Sequence, residues 1–183
     1  MDAVLSFLAH LDTTLFVFFN VHLANPVFDV IMPFITEKTH WYPVWALAIL
    51  LLLLKGGRKG RWVVLVVLLA VATSDLTVNR ILKPLFHRIR PCNVVEGAHL
   101  LLGKKSSFSM PSSHATNFFT MATVFSYYYR KYQIIFWTLA ALVAYSRIAV
   151  GVHYPFDVLV GSLLGILIGY GWVVAFKKIV DGK

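Results

Sequence analysis

Residues able to do chemistry form three clusters between residues 83 and 157, and the first of these is cationic. Lys83 and Arg90 are seven residues apart, about two helical turns, so on a single helix they would project from one face, with Pro91 ending that helix. Two fixed cations would suit a phosphoryl group. The alternative is that both are snorkelling or headgroup-binding residues at a membrane border.

The second cluster is the sequence Pro111-Ser112-Ser113-His114, which is expected to open a helix. Ser112 or Ser113 could cap the helix, and the free N–H groups of the first turn would lie at the positive end of the helix dipole. Such a helix start is an anion-binding site that contains a histidine. The alternative is an ordinary cap followed by a histidine at the membrane interface.

The third cluster is Ser146-Arg147, followed by His153 and Asp157. The i,i+4 spacing lets the carboxylate bond one imidazole nitrogen and leave the other free, which makes the imidazole a better nucleophile. A metal site is the competing interpretation, but no Glu or further His lies at ligand spacing nearby. Pro155 indicates that a helix starts there, with His153 just outside it.

The elements that must position these clusters are membrane helices. Of the 183 residues, 58% are hydrophobic and 14% are charged, against about 25% charged in soluble proteins. The net charge of +9 suits anionic headgroups; nucleic-acid binding would explain the charge but not the hydrophobicity. Cys92 is the only cysteine, which excludes an intrachain disulfide and a thiolate metal cluster.

We therefore predict an all-α fold, a polytopic membrane helix bundle of about six helices in a single domain over residues 1–183. One segment, from Thr13 to Thr36, is interrupted by Asn25-Pro26 and is expected to cross as a broken helix or to lie in the interface. The other five segments are long or extendable enough to span, and they are Trp41–Leu54, Trp62–Ser74 continuing past Asp75, Ser112–Tyr129, Gln133–Ser146 and Val158–Phe176.

A small-residue stripe marks the last span as central to the bundle. Gly161, Gly165 and Gly169 recur at every fourth residue, which lets another helix backbone approach closely. The three polar clusters fall at helix ends on one membrane face, as a single site requires. The loop of residues 92–110 lies between two of them and could act as a lid or substrate collar.

Basic residues outside the clusters predict the orientation of the bundle. Three groups share one side if the helices between them cross, and we expect that side to be cytoplasmic. The groups are Lys55, Arg58, Lys59 and Arg61; Arg130 and Lys131; and Lys177, Lys178 and Lys183. The polar clusters would then face the periplasm or the cell exterior, in a multi-pass protein of the cell (inner) membrane.

The three clusters resemble the signature of the type 2 phosphatidic acid phosphatase superfamily, K-x6-R-P, P-S-G-H and S-R-x5-H-x3-D. Here the motifs read Lys83-PLFHRI-Arg90-Pro91, Pro111-Ser112-Ser113-His114 and Ser146-Arg147-IAVGV-His153-YPF-Asp157. Order and spacing match throughout. The departure is Ser113, which stands where the family usually has Gly; its side chain narrows the anion-binding site but its backbone N–H remains.

The resemblance implies a role for each of these positions. His153, oriented by Asp157, would attack phosphorus, and His114 would protonate the departing oxygen and then activate water. Cationic side chains would replace a metal, so no metal or cofactor is expected. The phosphate-binding residues would be Lys83, Arg90, Ser112, Ser113, Ser146 and Arg147.

The function that the resemblance implies is hydrolysis of the terminal phosphate of a lipid phosphate or diphosphate through a phosphohistidine. Undecaprenyl diphosphate ranks first as substrate, then lipid A 1-phosphate, with phosphatidylglycerophosphate a further candidate. The partners expected are the lipid substrate and the bilayer, with no nucleic acid and no obligate protein partner. A soluble vanadate-dependent haloperoxidase is excluded by the apolar spans, and a phosphate-lipid binder or transporter without turnover is the alternative class.

The remaining polar residues receive a structural interpretation. Asp75 lies within a span and should find a partner, for which Asn79, one turn on, is the nearest candidate. Five histidines have no matching partner pattern and are not expected to be catalytic: His10, His22, His40, His87 and His99.

Overall fold

The architecture, taken from a computed structural model, consists of helices joined by loops, with no strand in the described part of the chain. The structure describes the backbone of residues 2–182 and the side chains of residues 3–182. Met1 and Lys183, the latter part of the predicted basic tail, lie outside the described residues. The helices are α1 (Asp2–Val17), α2 (Pro26–Thr36), α3 (Lys38–Lys55), α4 (Gly57–Leu76), α5 (Lys83–Phe86), α6 (Pro91–Val94), α7 (Ser113–Tyr128), α8 (Gln133–Ala149) and α9 (Pro155–Asp181).

All five predicted spans fall on helices, namely α3, α4, α7, α8 and α9. By length and apolarity, four helical stretches among residues 2–182 are able to cross a membrane: Ala3–His22, Gly57–Val94, Arg130–Ala149 and Pro155–Asp181. Large apolar side chains on the outer faces are exposed, for example Leu54 at 71% and Ile134 at 77%. An apolar exterior of this kind requires lipid around it, and the chain is an integral membrane protein.

The first segment is broken where the Asn-Pro pair predicts a break, but it begins earlier than predicted. Helix α1 starts at Asp2, eleven residues before Thr13, and continues through a π-helical turn to His22. Asn25 then caps α2, because its side-chain oxygen accepts hydrogen bonds from the backbone N–H of Val27 at 3.1 Å and of Phe28 at 3.0 Å. The segment therefore contains a helix long enough to cross and a shorter one.

The centre of the bundle is the pair α7 and α9, which pack along the predicted glycine stripe. A Cβ placed at Gly161 would lie 2.7 Å from the carbonyl oxygen of Ser112, and one at Gly169 would lie 2.8 Å from that of Thr120. Only glycine permits this approach. The first turns of both helices are thereby held side by side.

The predicted basic groups gather at the far end of the same helices. The ammonium of Lys59 lies 5.6 Å from the ring centre of Tyr129, and Lys59, Arg130 and Asp181 line one polar cavity. The end of α3, the start of α4, the end of α7 and the end of α9 therefore share one side of the bundle, opposite the three polar clusters.

Candidate active site

The first cluster does not lie on one helix, contrary to the sequence prediction. Helix α5 ends at Phe86, and His87 has a positive φ of 48°, which turns the chain out of the helix. Arg90 follows in a non-helical link, and Pro91 opens α6 instead of ending a helix. Lys83 and Arg90 are nonetheless both buried, at 9% and 5% exposure.

Leaving the helix allows Arg90 to reach the third cluster. Its Nη1 lies 2.9 Å from Nε2 of His153 and also donates to the carbonyl of Val152 at 2.9 Å. Its Nε donates to the carbonyl of Ser107 at 2.7 Å, and its Nη2 to the Ser107 hydroxyl at 3.0 Å. Arg90 thus ties the loop of residues 92–110 to the imidazole.

His153 lies in the turn between α8 and α9, outside the helix that Pro155 opens, as predicted. Its Nδ1 lies 3.3 Å from Oδ2 of Asp157, and both side chains are buried. With Nδ1 protonated towards the carboxylate, Nε2 carries the lone pair that faces Arg90. Burial, followed by the positive charges of Arg90, Arg147 and Lys83, lowers the pKa of His153 well below its ordinary value.

The second cluster joins the third through the backbone. Ser112 caps α7, as predicted, and its backbone N–H donates to the carbonyl of Asp157 at 3.0 Å. The hydroxyl of Ser113 donates to Oδ1 of Asn79 at 2.9 Å, so it faces α4. His114 is half-buried in the first turn of α7. The starts of α7 and α9 therefore meet at one end of the bundle.

The remaining residues of the third cluster differ in their surroundings. Arg147, 6% exposed, donates from Nη1 to the hydroxyl of Thr36, and its buried Nε has no partner among the described residues. That N–H is available to an anion. Ser146 is buried and its hydroxyl donates to the carbonyl of Val143 in its own helix at 2.7 Å, so this hydroxyl is engaged away from the cluster.

An apolar cavity of about 320 Å³ opens beside His114, between α3, α4 and α7. Its polar end is formed by Thr36, Lys38, Ser113 and His114. Aromatic and aliphatic side chains form the remainder, including Trp41, Trp45, Val67, Val71, Phe118 and Phe125. A hydrocarbon chain whose polar head lies near His114 would fit such a cavity.

The superfamily follows from a match over two thirds of the chain. The model of the PAP2 superfamily matches residues 59–181, a range that contains all three clusters. The chain belongs to the PAP2 superfamily.

Several PAP2 relatives are lipid phosphatases. A lipid A 4'-phosphatase of Bacteroides thetaiotaomicron is 33% identical over 184 residues, covering 94% of this chain and 79% of the relative. An undecaprenyl-diphosphatase of Sulfolobus acidocaldarius is 37% identical over 132 residues, covering 71% and 60%. The chain is accordingly a membrane lipid phosphatase.

Two solved PAP2 structures share the fold. LpxE of Aquifex aeolicus superposes with a TM-score of 0.71 at 30% identity, covering 90% of this chain and 95% of that one. A phosphatidylglycerolphosphate phosphatase of Bacillus subtilis gives a TM-score of 0.74 at 26% identity, covering 98% and 89%.

Sequence reasoning about this PAP2 chain missed two charged residues beside the motifs. Arg88, inside the first motif, lies 2.8 Å from Oδ1 of Asp157 and 2.6 Å from Oδ2 of Asp12. The spacing of Arg88 from Arg90 carried no motif signal, and Asp12 lies in α1, outside the matched range. The one signal in the sequence that Asp12 has a partner was an acidic residue in an otherwise apolar helix.

Proposed function

We propose that the chain hydrolyses a membrane-anchored phosphate through a covalent bond between phosphorus and Nε2 of His153. The observation that carries the proposal is the buried His153, with Asp157 at Nδ1 and Arg90 at Nε2. A carboxylate that fixes the imidazole tautomer also stabilises the cation formed on attack. The guanidinium faces the nitrogen that would attack, so it would bind a phosphate oxygen once the substrate separates it from the ring.

Binding would use the cations that surround this point. Lys83, Arg90 and Arg147 would hold phosphate oxygens, with the free Nε of Arg147 as one donor. At the start of α7 the backbone N–H of Ser113 and the hydroxyl of Ser112 would add donors, since the N–H of Ser112 already donates to the carbonyl of Asp157. Distributed positive charge of this kind stabilises a phosphoryl transition state, in which charge spreads over the equatorial oxygens.

The reaction would proceed in two displacements. The Nε2 lone pair attacks phosphorus while the bond from phosphorus to the lipid oxygen breaks, and His114 gives its proton to that oxygen. Water then attacks phosphorus while His114 takes a proton from it, the phosphorus–nitrogen bond breaks, and inorganic phosphate leaves. His114 serves as acid and then as base, which returns both rings to their starting state.

Two lipids are candidates for the substrate. The sequence alone ranked undecaprenyl diphosphate ahead of lipid A 1-phosphate. The lipid A 4'-phosphatase of Bacteroides thetaiotaomicron matches over a greater share of both chains, which favours a phosphorylated lipid A as the first substrate to test. The undecaprenyl-diphosphatase match supports the second. Both substrates suit an active site on the periplasmic or outer face of the cell membrane, which the basic loops at the opposite end favour.

The test is release of inorganic phosphate by the purified protein in detergent from four lipids: lipid A, undecaprenyl diphosphate, phosphatidylglycerophosphate and phosphatidic acid. His153→Ala should abolish release, and His10→Ala, which removes an exposed histidine of α1, is the matched control. A radiolabelled substrate quenched in base should leave label on the parent protein as phosphohistidine. Release that persists in His153→Ala contradicts the nucleophile, and no release from any lipid by the parent favours a binder or transporter.

A further inference from the structure

A row of charged side chains extends from the imidazole to the first helix. Asp157 Oδ1 lies 2.8 Å from Nη1 of Arg88, and Nη2 of the same guanidinium lies 2.6 Å from Oδ2 of Asp12. Asp12 and Asp157 are fully buried, while the Arg88 side chain is 23% exposed. Asp12 thus joins the row from α1, a helix that lies before the matched range of residues 59–181.

The same carboxylates hold the backbone of the turn that carries Asp157. Oδ1 of Asp12 accepts a hydrogen bond from the N–H of Phe156 at 2.8 Å, and Oδ2 of Asp157 accepts one from the N–H of Tyr154 at 2.9 Å. The Arg88 guanidinium lies over the ring of Tyr154, 4.1 Å from its centre. Contacts with Asp12 of α1 and with Arg88, between α5 and α6, therefore hold residues 154–157 in position.

The charges of the row explain why a second carboxylate is useful. A guanidinium paired with Asp157 alone would neutralise it, and a neutralised pair attracts the imidazolium formed at His153 weakly. With Asp12 on the other side, the guanidinium is shared between two carboxylates, and the group of three carries a net charge of −1 when both carboxylates are ionised. Arg88 can then position Asp157 without cancelling its attraction for the imidazolium.

We propose that Asp12 and Arg88 are positioning residues of the phosphatase, which act on His153 through Asp157. The inference rests on the proposed function, since it takes His153 as the nucleophile. Through Asp12, α1 would then contribute to the phosphoryl-transfer step in addition to any role as a membrane span. Because neither residue is among the groups proposed to hold the phosphate, their removal should lower kcat and leave KM unchanged.

The test is a double-mutant cycle between Asp12→Asn and Asp157→Asn, measured as kcat on the best lipid of the panel. Asp12→Asn is expected to lower kcat about tenfold in the parent background. In the Asp157→Asn background the same substitution should have almost no further effect, because residues that act through one another are not additive. Asp12→Glu keeps the carboxylate and should recover part of the loss.

Asp29→Asn is the matched control, since Asp29 pairs with His99 at 2.8 Å outside the row, and it should leave kcat unchanged. Thermal unfolding in detergent is recorded for every variant, so that kcat is compared only between folded proteins, and Arg88→Lys gives a second route to the same test if Asp12→Asn fails to fold. Equal loss from Asp12→Asn in both backgrounds, or a rise in KM alone, overturns the inference. Activity that survives His153→Ala overturns the proposed function instead, so the two failures are distinct.

Discussion

Nη1 of Arg90 lies 2.9 Å from Nε2 of His153, so the nitrogen proposed to attack phosphorus is covered by a cation. The contact satisfies a lone pair that is buried with the ring. It also places the guanidinium beside the point at which phosphorus would be attacked. One side chain therefore satisfies the buried imidazole and would also bind the substrate.

Arg90→Lys is expected to lower kcat/KM by about a hundredfold or more, because lysine keeps the charge but cannot reproduce the fork of N–H donors. The measurement is phosphate release at substrate concentrations well below KM. Arg80→Lys is the control, because Arg80 is an exposed residue earlier in the same stretch of chain, and it should leave the rate unchanged. A loss smaller than threefold in Arg90→Lys would show that the fork is not needed.

The pH dependence of kcat/KM should report the lowered pKa of His153. Burial first and Arg90 next disfavour the imidazolium, so the nucleophile stays neutral as the pH falls through 6.5, the ordinary histidine value. Loss of rate through protonation of His153 should begin only below that pH. Arg90→Gln removes one cause, and it should move the acid limb upward, towards 6.5.

The control for this shift is Lys104→Gln, which removes an exposed charge from the loop of residues 92–110. Parent and variants are compared on one substrate, so that ionisation of the substrate phosphate cancels. An acid limb that stays in place in Arg90→Gln would show that this guanidinium does not set the ionisation of His153.

Lys38→Met is expected to slow hydrolysis of a prenyl diphosphate about tenfold more than that of the matching prenyl monophosphate. Lys38 and His114 line the same cavity, so a cation lies on the side from which the leaving group departs. A diphosphate has a second charged phosphate there, whereas the monophosphate has none. Equal loss on both substrates would place Lys38 with the general phosphate cations instead.

Gly165→Leu should prevent correct packing of the bundle. A Cβ at Gly165 would lie 3.0 Å from Cβ of Phe119 and 3.0 Å from the backbone nitrogen of Thr120, which cannot move without shifting α7. The expected result is a lowered unfolding temperature in detergent with loss of activity. Gly171→Leu is the control, because a Cβ there meets nothing within 4 Å. Similar unfolding temperatures for the two variants would contradict the packing role.

Local patterns predicted much of this molecule from its sequence. Four predicted features involve only residues within four positions of one another: the break at Asn25-Pro26, the helix cap at Ser112, the helix start at Pro155, and the pairing of Asp75 with Asn79, at 2.9 Å. Such contacts follow from helix geometry alone. The same locality explains why all five segments predicted to span fall on helices.

The errors and omissions involve contacts between distant parts of the chain. Periodicity placed Lys83 and Arg90 on one helix, but the turn at His87 ends that helix so that Arg90 reaches His153, 63 residues away. Asp12 and Arg88 are 76 residues apart, and one sequence carries no signal that joins them. The roles of the phosphate-binding residues stay predictions until the variants are measured.

The glycine stripe has a further consequence for the alignment of α7 and α9. Gly161, Gly165 and Gly169 repeat every fourth residue of α9. If α9 slipped by four residues along α7, about 6 Å of helix rise, two of the three glycines would again pack against α7. What distinguishes the native register is the hydrogen bond from the N–H of Ser112, at the start of α7, to the carbonyl of Asp157 in α9. This polar contact beside His153 therefore also chooses among near-equivalent packings of the two central helices, and a chain in the wrong register would lose its catalytic geometry first.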